Sequence, residues 1–146
     1  MKEGIRKFED KDIEIVYNLG IQIPEFSVND ETSHRFWPKD TLERFVEQGL
    51  SLVIEDQNSV VGFLLAVYQP VTLKLTWENM YIIPEYRKKG IAGECFQKGW
   101  KLAQQHGATA VEALVKTNNT PSQQMLKRLN FNNAGNYYWM LKFKED

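Results

Sequence analysis

The sequence predicts an α/β domain whose central sheet is mixed but largely antiparallel, with helices on both faces. Three observations predict this class. Three strand-like runs follow one another in the middle of the chain, and the turn-forming segment Asp56-Gln57-Asn58-Ser59 joins the first two as a hairpin. Helix-like and strand-like segments then alternate toward the C-terminus, which is typical of sheets that also contain parallel strands. The 146 residues, of which 42% are hydrophobic, fit a single domain over residues 1–146.

The elements before the hairpin follow from the spacing of apolar residues. Gly4–Phe8 is short enough to be a first strand. Asp10 is a suitable N-cap for a helix that carries three apolar residues on one face. Lys39–Gln48 has apolar residues at helical spacing and is followed by a glycine, so it predicts a second helix. Residues 21–37, between these helices, are rich in aromatics without periodicity, and we expect a loop that either packs on the core or shapes a pocket.

The second half of the chain alternates between helices and strands. Gly90–Gln105 predicts a helix with one apolar face, and Gly107 follows it as a C-cap. Another helix begins where Thr120 is a suitable N-cap and Pro121 the first helical residue. The final run is rich in aromatic residues and would form an adhesive sheet edge if uncovered, so it favours a homodimer. The predicted strands after the first are Leu50–Glu55, Val60–Tyr68, Leu73–Ile83, Ala110–Val115 and Tyr137–Phe143.

The composition excludes several classes of partner. Eighteen Lys and Arg residues against nineteen Asp and Glu residues leave a net charge of −1, without the basic excess of a nucleic-acid-binding domain. The longest apolar run, Val60–Val67, is far shorter than the ~20 residues that span a bilayer. The N-terminus enters mixed-charge sequence at once, without the apolar core of a signal peptide. We therefore expect a cytoplasmic protein with no nucleic-acid and no membrane partner.

The single cysteine, Cys95, excludes an internal disulfide and indicates a reducing compartment. His34 and His106 are both far from it in sequence, so we expect no Cys/His zinc cluster and no metal cofactor. Cys95 shares the apolar face of its predicted helix with Ile91 and Phe96. We therefore expect its thiol in the core.

The segment after the third central strand is the most informative for function. The apolar strand ends at Pro84, three cations follow at Arg87-Lys88-Lys89, and Gly90, Ala92 and Gly93 open an amphipathic helix. Small residues let a ligand approach the backbone, and the free N–H groups of a first helical turn attract anions. Cations at a helix N-terminus are unfavourable with the helix dipole, so their presence here favours a site that binds a phosphate. The alternative is a glycine-containing turn with a solvated basic rim, and the spacing fits neither the dinucleotide nor the P-loop motif.

The pattern Arg87-x-x-Gly90-x-Ala92, after a strand and Pro-Glu-Tyr, resembles the acyl-CoA-binding signature of the GNAT superfamily of N-acetyltransferases. The resemblance extends over nearly the whole chain and is strongest over residues 73–131. It implies the GNAT fold, with acetyl-CoA as co-substrate. The backbone N–H groups of residues 88–93 would hold its pyrophosphate, and its pantetheine arm would pair with the end of the central strand where the family's sheet splays. The cofactor-binding residues implied are Ile82, Ile83, Arg87, Lys88, Lys89, Gly90, Ile91, Ala92, Gly93, Asn119 and Ser122.

A second family signature follows at Asn119, Ser122, Leu126, Asn130 and Phe131. The resemblance implies that Asn119 and Ser122 contact the arm of acetyl-CoA, and ordinary helix capping is the alternative for both. Asn130 replaces the family's glycine, a mild change because asparagine also tolerates the left-handed conformation of a helix C′ position.

Leu126 is the main departure from the family. Many members have a tyrosine at this position, which is thought to protonate the leaving thiolate, and leucine has no proton to donate. By residue type, Tyr137, Tyr138, Tyr81 and Tyr86 are candidates for that acid, with packing as the alternative for each. Water could also protonate the thiolate, because a free thiol has a pKa of ~8.5.

Glu78 is the candidate for the base that removes a proton from the acceptor amine. Simple strand alternation predicts Thr76, Glu78, Met80 and Ile82 on one face of the central strand, with Leu75, Trp77 and Tyr81 on the other. A carboxylate in this position could act directly or through water. The alternative is a solvated charge, and Glu112 on the next strand is a second candidate.

The sequence therefore predicts an N-acetyltransferase that moves an acetyl group from acetyl-CoA to a primary amine, by direct attack in a ternary complex. The acceptor is either a small-molecule amine or a peptide amine. Pro24, Phe26, Phe36 and Trp37 indicate a partly apolar acceptor site. Two alternatives stay open. One is an acyl-CoA-binding module without turnover, and the other is an enzyme that acts on a protein N-terminus or a lysine.

Overall fold

Five strands form one mixed sheet in the first of two compact units, Met1–Leu114 and Val115–Asp146. The computed structural model describes residues 4–26, 36–142 and 144. The strands stand side by side in chain order: β1 (Gly4–Lys7), β2 (Leu52–Asp56), β3 (Ser59–Gln69), β4 (Lys74–Ile82) and β5 (Ala110–Ala113). The helices are α1 (Ile13–Gly20), α2 (Lys39–Gln48) and α3 (Ile91–Gln105) in the first unit and α4 (Thr120–Arg128) in the second.

The sheet is antiparallel from β1 to β4 and parallel between β4 and β5. The β2–β3 turn has left-handed φ angles of 50° at Gln57 and 67° at Asn58. Two successive left-handed residues are typical of the two-residue turn that matches the twist of a hairpin. The predicted hairpin and the predicted mixed, largely antiparallel sheet are both confirmed.

Helices cover both faces of the sheet, as predicted. On one face, Val16 of α1 and Phe45 of α2 belong to a buried cluster with Val53, Phe63 and Leu65 of the strands. The neighbouring strand residues point the other way, because side chains alternate along a strand. There, a Cβ on Gly99 of α3 would lie 3.3 Å from Leu64 and 3.5 Å from Leu52. Each face therefore buries its own apolar set.

A partly buried ion network joins the N-terminal strand to its neighbours. The Arg6 guanidinium donates to both oxygens of Asp12 at 2.8 and 2.9 Å and to Glu55 at 2.6 Å. Asp12 is only 3% exposed. Burial alone would raise the pKa of Asp12, but hydrogen bonds from Arg6 and from the Glu9 N–H outweigh it and hold that pKa below its usual value. The network joins β1, the turn before α1, and β2.

Helix α4 has well-formed caps at both ends. Its N-cap is Asn119, whose side chain accepts the N–H of Ser122 at 3.2 Å, so the prediction of Thr120 as the cap is wrong by one residue. At the other end, Asn130 has a φ of 69°, and the Phe131 N–H reaches the Leu126 carbonyl at 2.9 Å. This is a Schellman motif, and asparagine serves in place of glycine as predicted.

The strand predicted at Tyr137–Phe143 is wrong for the described part of that range, because residues 137–142 form no strand. Phe143 lies outside the described residues. Tyr137 is 84% exposed and Tyr138 is 95% exposed. Aromatic and β-branched residues favour a strand only where another strand offers hydrogen bonds and a packing surface, and composition alone does not supply these.

The helices of the described ranges give no candidate for a membrane span, since none is both long enough and apolar enough. The longest, α3, has 15 residues, and its exposed face is polar.

Candidate functional site

The sheet opens along the second half of β4. Pairing between β4 and β5 runs from Lys74 opposite Ala110 to Trp77 opposite Ala113. Strand β4 continues to Ile82 and stays paired with β3 on its other side. Within the described residues, the edge of β4 from residue 78 to residue 82 therefore has no strand partner on the β5 side. This is the opening that the resemblance implies.

Backbone groups at the end of β4 differ in availability. The Ile83 N–H donates to the Val61 carbonyl of β3 at 2.9 Å. Because backbone groups alternate along a strand, the N–H and C=O of Ile82 point to the open edge. The Ile82 carbonyl already accepts Nε of Arg87 at 2.7 Å. A ligand that pairs with this edge would therefore meet the Ile82 N–H, whereas the Ile83 N–H is engaged within the sheet.

A β-bulge lies at Glu78. Leu65 is opposite Asn79 and the next residue, Ala66, is opposite Trp77, so Glu78 is the extra residue of β4. The bulge reverses the side-chain alternation that the sequence predicts. The Trp77 ring lies 4.1 Å from the Phe96 ring of α3, whereas the Tyr81 ring lies 6.1 Å from Phe63 in the cluster on the opposite face. The prediction that these two side chains share a face is wrong, because a single extra residue shifts every later side chain to the other face.

The bulge also separates Glu78 from the two residues predicted to share its face. Met80 is opposite Leu64 and Ile82 is opposite Gly62, and Leu64 points toward α3. Asn79, opposite Leu65, and the unpaired Glu78 lie instead on the face of α1 and α2.

Glu78 is the only acidic residue of β4, and the pKa of its carboxyl is clearly raised. Partial burial of the carboxyl is the larger cause of the raised pKa, and repulsion from the Glu112 carboxylate is the smaller one. The residue as a whole is exposed. Glu112 stands beside Thr76 in the parallel pair, and its carboxylate binds Lys74 at 2.7 Å. A carboxylate with a raised pKa accepts a proton more readily near neutral pH.

The loop after β4 leads directly into α3. Pro84–Tyr86 forms a 3₁₀ turn, and Lys88 and Gly90 have left-handed φ angles of 64° and 78°. The first helical hydrogen bond joins the Glu94 N–H to the Gly90 carbonyl at 3.2 Å. The N–H groups of residues 91–93 therefore point out of the helix end, where they can bind an anion.

The small residues of this loop leave room in front of the helix. A Cβ at Gly90 or at Gly93 would meet nothing within 4 Å. Ile91 differs, because its side chain is 5% exposed and belongs to the core, so that only its N–H can face a ligand. The positive φ of Gly90 favours glycine irrespective of the space around it.

The cations of the loop are exposed, and aromatic rings hold two of them. Arg87 lies 5.3 Å above the Tyr81 ring, and Lys89 lies 5.3 Å above the Tyr86 ring. Lys88 is exposed between them. The structure thus gathers three positive charges beside three outward N–H groups, which is a suitable arrangement for a small polyanion.

The second-signature residues lie in the second unit. Asn119 uses its side-chain oxygen to cap α4, and Ser122 contributes its backbone N–H to that cap. The capping role that the sequence leaves open is therefore present. Leu126 offers its backbone carbonyl to the Schellman motif at the other end of the helix.

The tyrosine candidates for the acid have different surroundings. The Tyr86 hydroxyl donates to the Asp56 carboxylate, and the half-buried Tyr81 ring packs between Phe63 and Arg87. Tyr137 and Tyr138 are exposed residues of the second unit.

The described aromatic residues before α2 contribute mainly to the core. Phe26 and Phe36 stack at 5.6 Å, and both contact Phe63. Trp37 is different, because its Nε1 donates to Oδ1 of Asn79 at 2.6 Å, next to the bulge. Residues 27–35 of the predicted pocket-shaping segment, with His34, lie outside the described residues.

Sequence reasoning did not single out Asn79 or Asp56. Asn79 is one polar residue in an alternating strand, and Asp56 is one of four turn-forming residues, so neither stands out without the tertiary structure. Cys95, by contrast, is in the core as predicted, with 0% exposure, and burial raises the pKa of its thiol to about 12. It is therefore not a thiolate nucleophile at neutral pH.

Comparison with family models finds one match, which covers most of the chain. The model described as the acetyltransferase (GNAT) family matches residues 13–131. No curated protein sequence matches the chain significantly.

Solved structures similar to this one include several acetyltransferases. Aminoglycoside N-acetyltransferase AAC(6')-Iy, in complex with a bisubstrate analogue, has a TM-score of 0.74 and 16% identity, over 99% of this chain and 100% of that one. The PaiA N-acetyltransferase from Thermoplasma acidophilum, in complex with coenzyme A, has a TM-score of 0.74 and 17% identity, over 88% and 89% of the two chains. The ribosomal-protein-S18-alanine N-acetyltransferase from Escherichia coli has a TM-score of 0.71 and 18% identity, over 92% and 80%. These likenesses show a shared fold.

Proposed function

This chain belongs to the GNAT family of acetyltransferases, and from that premise we propose that it transfers an acetyl group from acetyl-CoA to a primary amine. The observation that carries the proposal is the N-terminus of α3. There, the outward N–H groups of residues 91–93, the left-handed Gly90 and three adjacent cations form a site for a pyrophosphate. The open edge of β4 ends where this loop begins, so one extended ligand can contact both.

Acetyl-CoA, when bound, supplies an activated acyl thioester. The chain's own groups would then bind and orient it: the loop holds the phosphates, and the Ile82 N–H donates to the arm or to the thioester carbonyl. Ile83 would lie beside the arm where β4 ends, but it would not donate its N–H, because that N–H is bonded to β3. Asn119 and Ser122 would contact the arm, as the family resemblance implies.

The proposed reaction is a direct attack in a ternary complex. Glu78, directly or through water, accepts a proton from the ammonium form of the acceptor. The amine nitrogen then forms a bond to the acyl carbon as the bond to sulfur breaks. The thiolate leaves with the electron pair and takes its proton from water or from Tyr137 or Tyr138, because Leu126 has none to give.

The test is the release of free thiol from acetyl-CoA across a panel of small amines and peptides with free N-termini or lysines. We expect acceptor-dependent release, lost by at least tenfold in Glu78→Gln. Glu43→Gln in α2 is the matched control, because it removes an exposed carboxylate away from β4. A Glu78→Gln variant at the full rate would remove Glu78 from the base role. An acetylated Cys95 on the reaction path would refute direct attack.

Leu126 favours a second candidate, an acyl-CoA-binding module without turnover, because the family's usual acid is missing at that position. Tight acetyl-CoA binding with no thiol release above background for any acceptor would support this candidate. The acceptor class is decided by the same panel. Release with peptides but not with small amines indicates an enzyme that acts on a protein N-terminus or a lysine.

The exposed run Tyr137–Leu141 supports a further proposal, that two copies of the chain associate through it. Sedimentation of a monomer at assay concentration would contradict it.

A further inference from the structure

A buried carboxylate holds the loop that precedes α3. Asp56, at the end of β2, is only 3% exposed, and its Oδ2 accepts the hydroxyl of Tyr86. Its other oxygen, Oδ1, is buried and has no hydrogen-bond partner among the described residues. A buried carboxylate is unfavourable unless it is hydrogen-bonded. The bond from Tyr86 is therefore the contact on which this carboxylate depends.

The Tyr86 side chain connects the β2–β3 hairpin to the cations of the loop. Tyr86 ends the 3₁₀ turn Pro84–Tyr86, its hydroxyl lies on Asp56, and the ammonium of Lys89 lies 5.3 Å above its ring. Arg87 has a separate anchor, because it binds the Ile82 carbonyl and the Tyr81 ring. The loop is therefore attached to the sheet at two points, one on β4 and one on the hairpin.

The conformation of the loop is unfavourable without such anchors. Lys88 is a non-glycine residue with a φ of 64°, a conformation that L-residues other than glycine rarely adopt. Three like charges stand side by side, at a helix end whose dipole repels cations. All three are exposed, so burial of their own side chains contributes little to fixing them.

We propose that Asp56 and Tyr86 are positioning residues that hold loop 87–90 in its anion-binding conformation before acetyl-CoA arrives. The proposal rests on the proposed function and adds two residues to it, neither of which touches the reacting atoms. Without the bond, the loop occupies the competent conformation only part of the time, and the apparent affinity falls by that fraction. The step of chemistry, once acetyl-CoA is bound, is unaffected.

The decisive variant is Tyr86→Phe, which removes the hydroxyl and keeps the ring beneath Lys89. Tyr17→Phe is the matched control, because Tyr17 in α1 also lies beneath a lysine, Lys39 at 5.1 Å. Binding of coenzyme A is measured by calorimetry, and the kinetics with acetyl-CoA as the varied substrate. We expect Tyr86→Phe to weaken coenzyme A binding and to raise the KM for acetyl-CoA by about three- to tenfold. This range corresponds to a variant whose loop is in the binding conformation for roughly a tenth to a third of the time. We expect kcat and the acceptor KM to stay unchanged, and the control to match the unaltered protein.

A second comparison tests whether the two residues act as a pair. Asp56→Ala removes the acceptor of the same bond, so the double variant with Tyr86→Phe should bind coenzyme A as weakly as the weaker single variant. Unchanged coenzyme A binding in folded Tyr86→Phe, or losses that simply add in the double variant, would overturn the positioning role and leave the proposed function standing. An unaltered protein that does not bind coenzyme A would overturn the proposed function itself, and the positioning role with it.

Discussion

Replacing Gly62 by alanine tests whether the close contact between β3 and the end of β4 supports both the fold and the open strand edge. A Cβ at residue 62 would lie 2.7 Å from the carbonyl oxygen of Tyr81, 3.0 Å from Cδ1 of Ile54 and 3.2 Å from Cγ1 of Ile82. The two isoleucine side chains can rotate, but the Tyr81 oxygen belongs to the backbone of the paired strand. The two strands must therefore move apart locally.

The magnitude follows from two opposing effects. Overpacking of a close contact typically costs about 1–3 kcal/mol, and alanine recovers about 0.5–1 kcal/mol because glycine is unfavourable within a strand. We expect Gly62→Ala to lower the free energy of unfolding by about 1–2 kcal/mol on these principles. Because Ile82 is the residue opposite Gly62, the displacement also reaches the N–H that faces the open edge, so the KM for acetyl-CoA should rise.

The assay is urea unfolding at neutral pH, followed by kinetics on the folded variant. Gly4→Ala is the matched control in β1 of the same sheet, since its Cβ would lie at an ordinary 3.8 Å from the Glu55 carbonyl. We expect this control to be as stable as the unaltered protein or slightly more stable. Equal unfolding midpoints for Gly62→Ala and the unaltered protein would refute the argument from the close contact.

Three other predictions concern charge and backbone. Arg6→Met leaves Asp12 buried without its ion-pair partner and should lower the free energy of unfolding by roughly 2–4 kcal/mol at pH 7. Because Arg6 lowers the folded pKa of Asp12, the pair stabilises the fold at pH values above the unfolded pKa of ~3.9 and loses this effect below it. Urea unfolding should therefore show a smaller difference between the variant and the unaltered protein as the pH falls below ~3.9. The raised pKa of Glu78 should place the acidic limb of kcat/KM above the ~4.3 of an ordinary glutamate, and Glu112→Gln should move that limb to lower pH, whereas an unmoved limb would contradict the repulsion between them. Gly90→Ala introduces no clash but a left-handed alanine, which should cost about 1–2 kcal/mol in thermal unfolding and weaken coenzyme A binding; unchanged values would contradict the backbone argument.

Local signals predicted most of the elements, because they depend on residues close together in the sequence. The glycine after α2 ends that helix with a φ of 76°, and Asn130 adopts the left-handed conformation that its place in the family signature implies. The motif Arg87-x-x-Gly90-x-Ala92 likewise runs from the loop into the first turn of α3, so its place at the start of this helix follows from the sequence.

Apart from the cap of α4, which is wrong by one residue, the errors concern features that depend on a partner strand. The bulge at Glu78 is a property of the pairing with β3. The sequence around Glu78 would be the same whether or not a bulge formed there, so the sequence does not predict it. The bond between Asp56 and Tyr86 joins residues 30 positions apart, and no local pattern signals it. The run Tyr137–Phe143 has strand-forming residues, but whether it forms a strand depends on an edge to pair with.

The bulge also constrains how Glu78 can act with the open edge. At about 3.3 Å per residue, the four steps from Glu78 to Ile82 span roughly 13 Å, so a carbonyl bound by the Ile82 N–H would lie far along the strand from Glu78. The Met80 N–H points to the same open edge, two residues nearer the bulge, because Met80 and Ile82 occupy equivalent positions in the pairing with β3. A thioester carbonyl bound by the Met80 N–H would bring the attacked carbon about 7 Å closer to Glu78 than one bound by the Ile82 N–H. The proposed role of Glu78 as base therefore favours an acyl group near Met80, and the Ile82 N–H would then hold the arm.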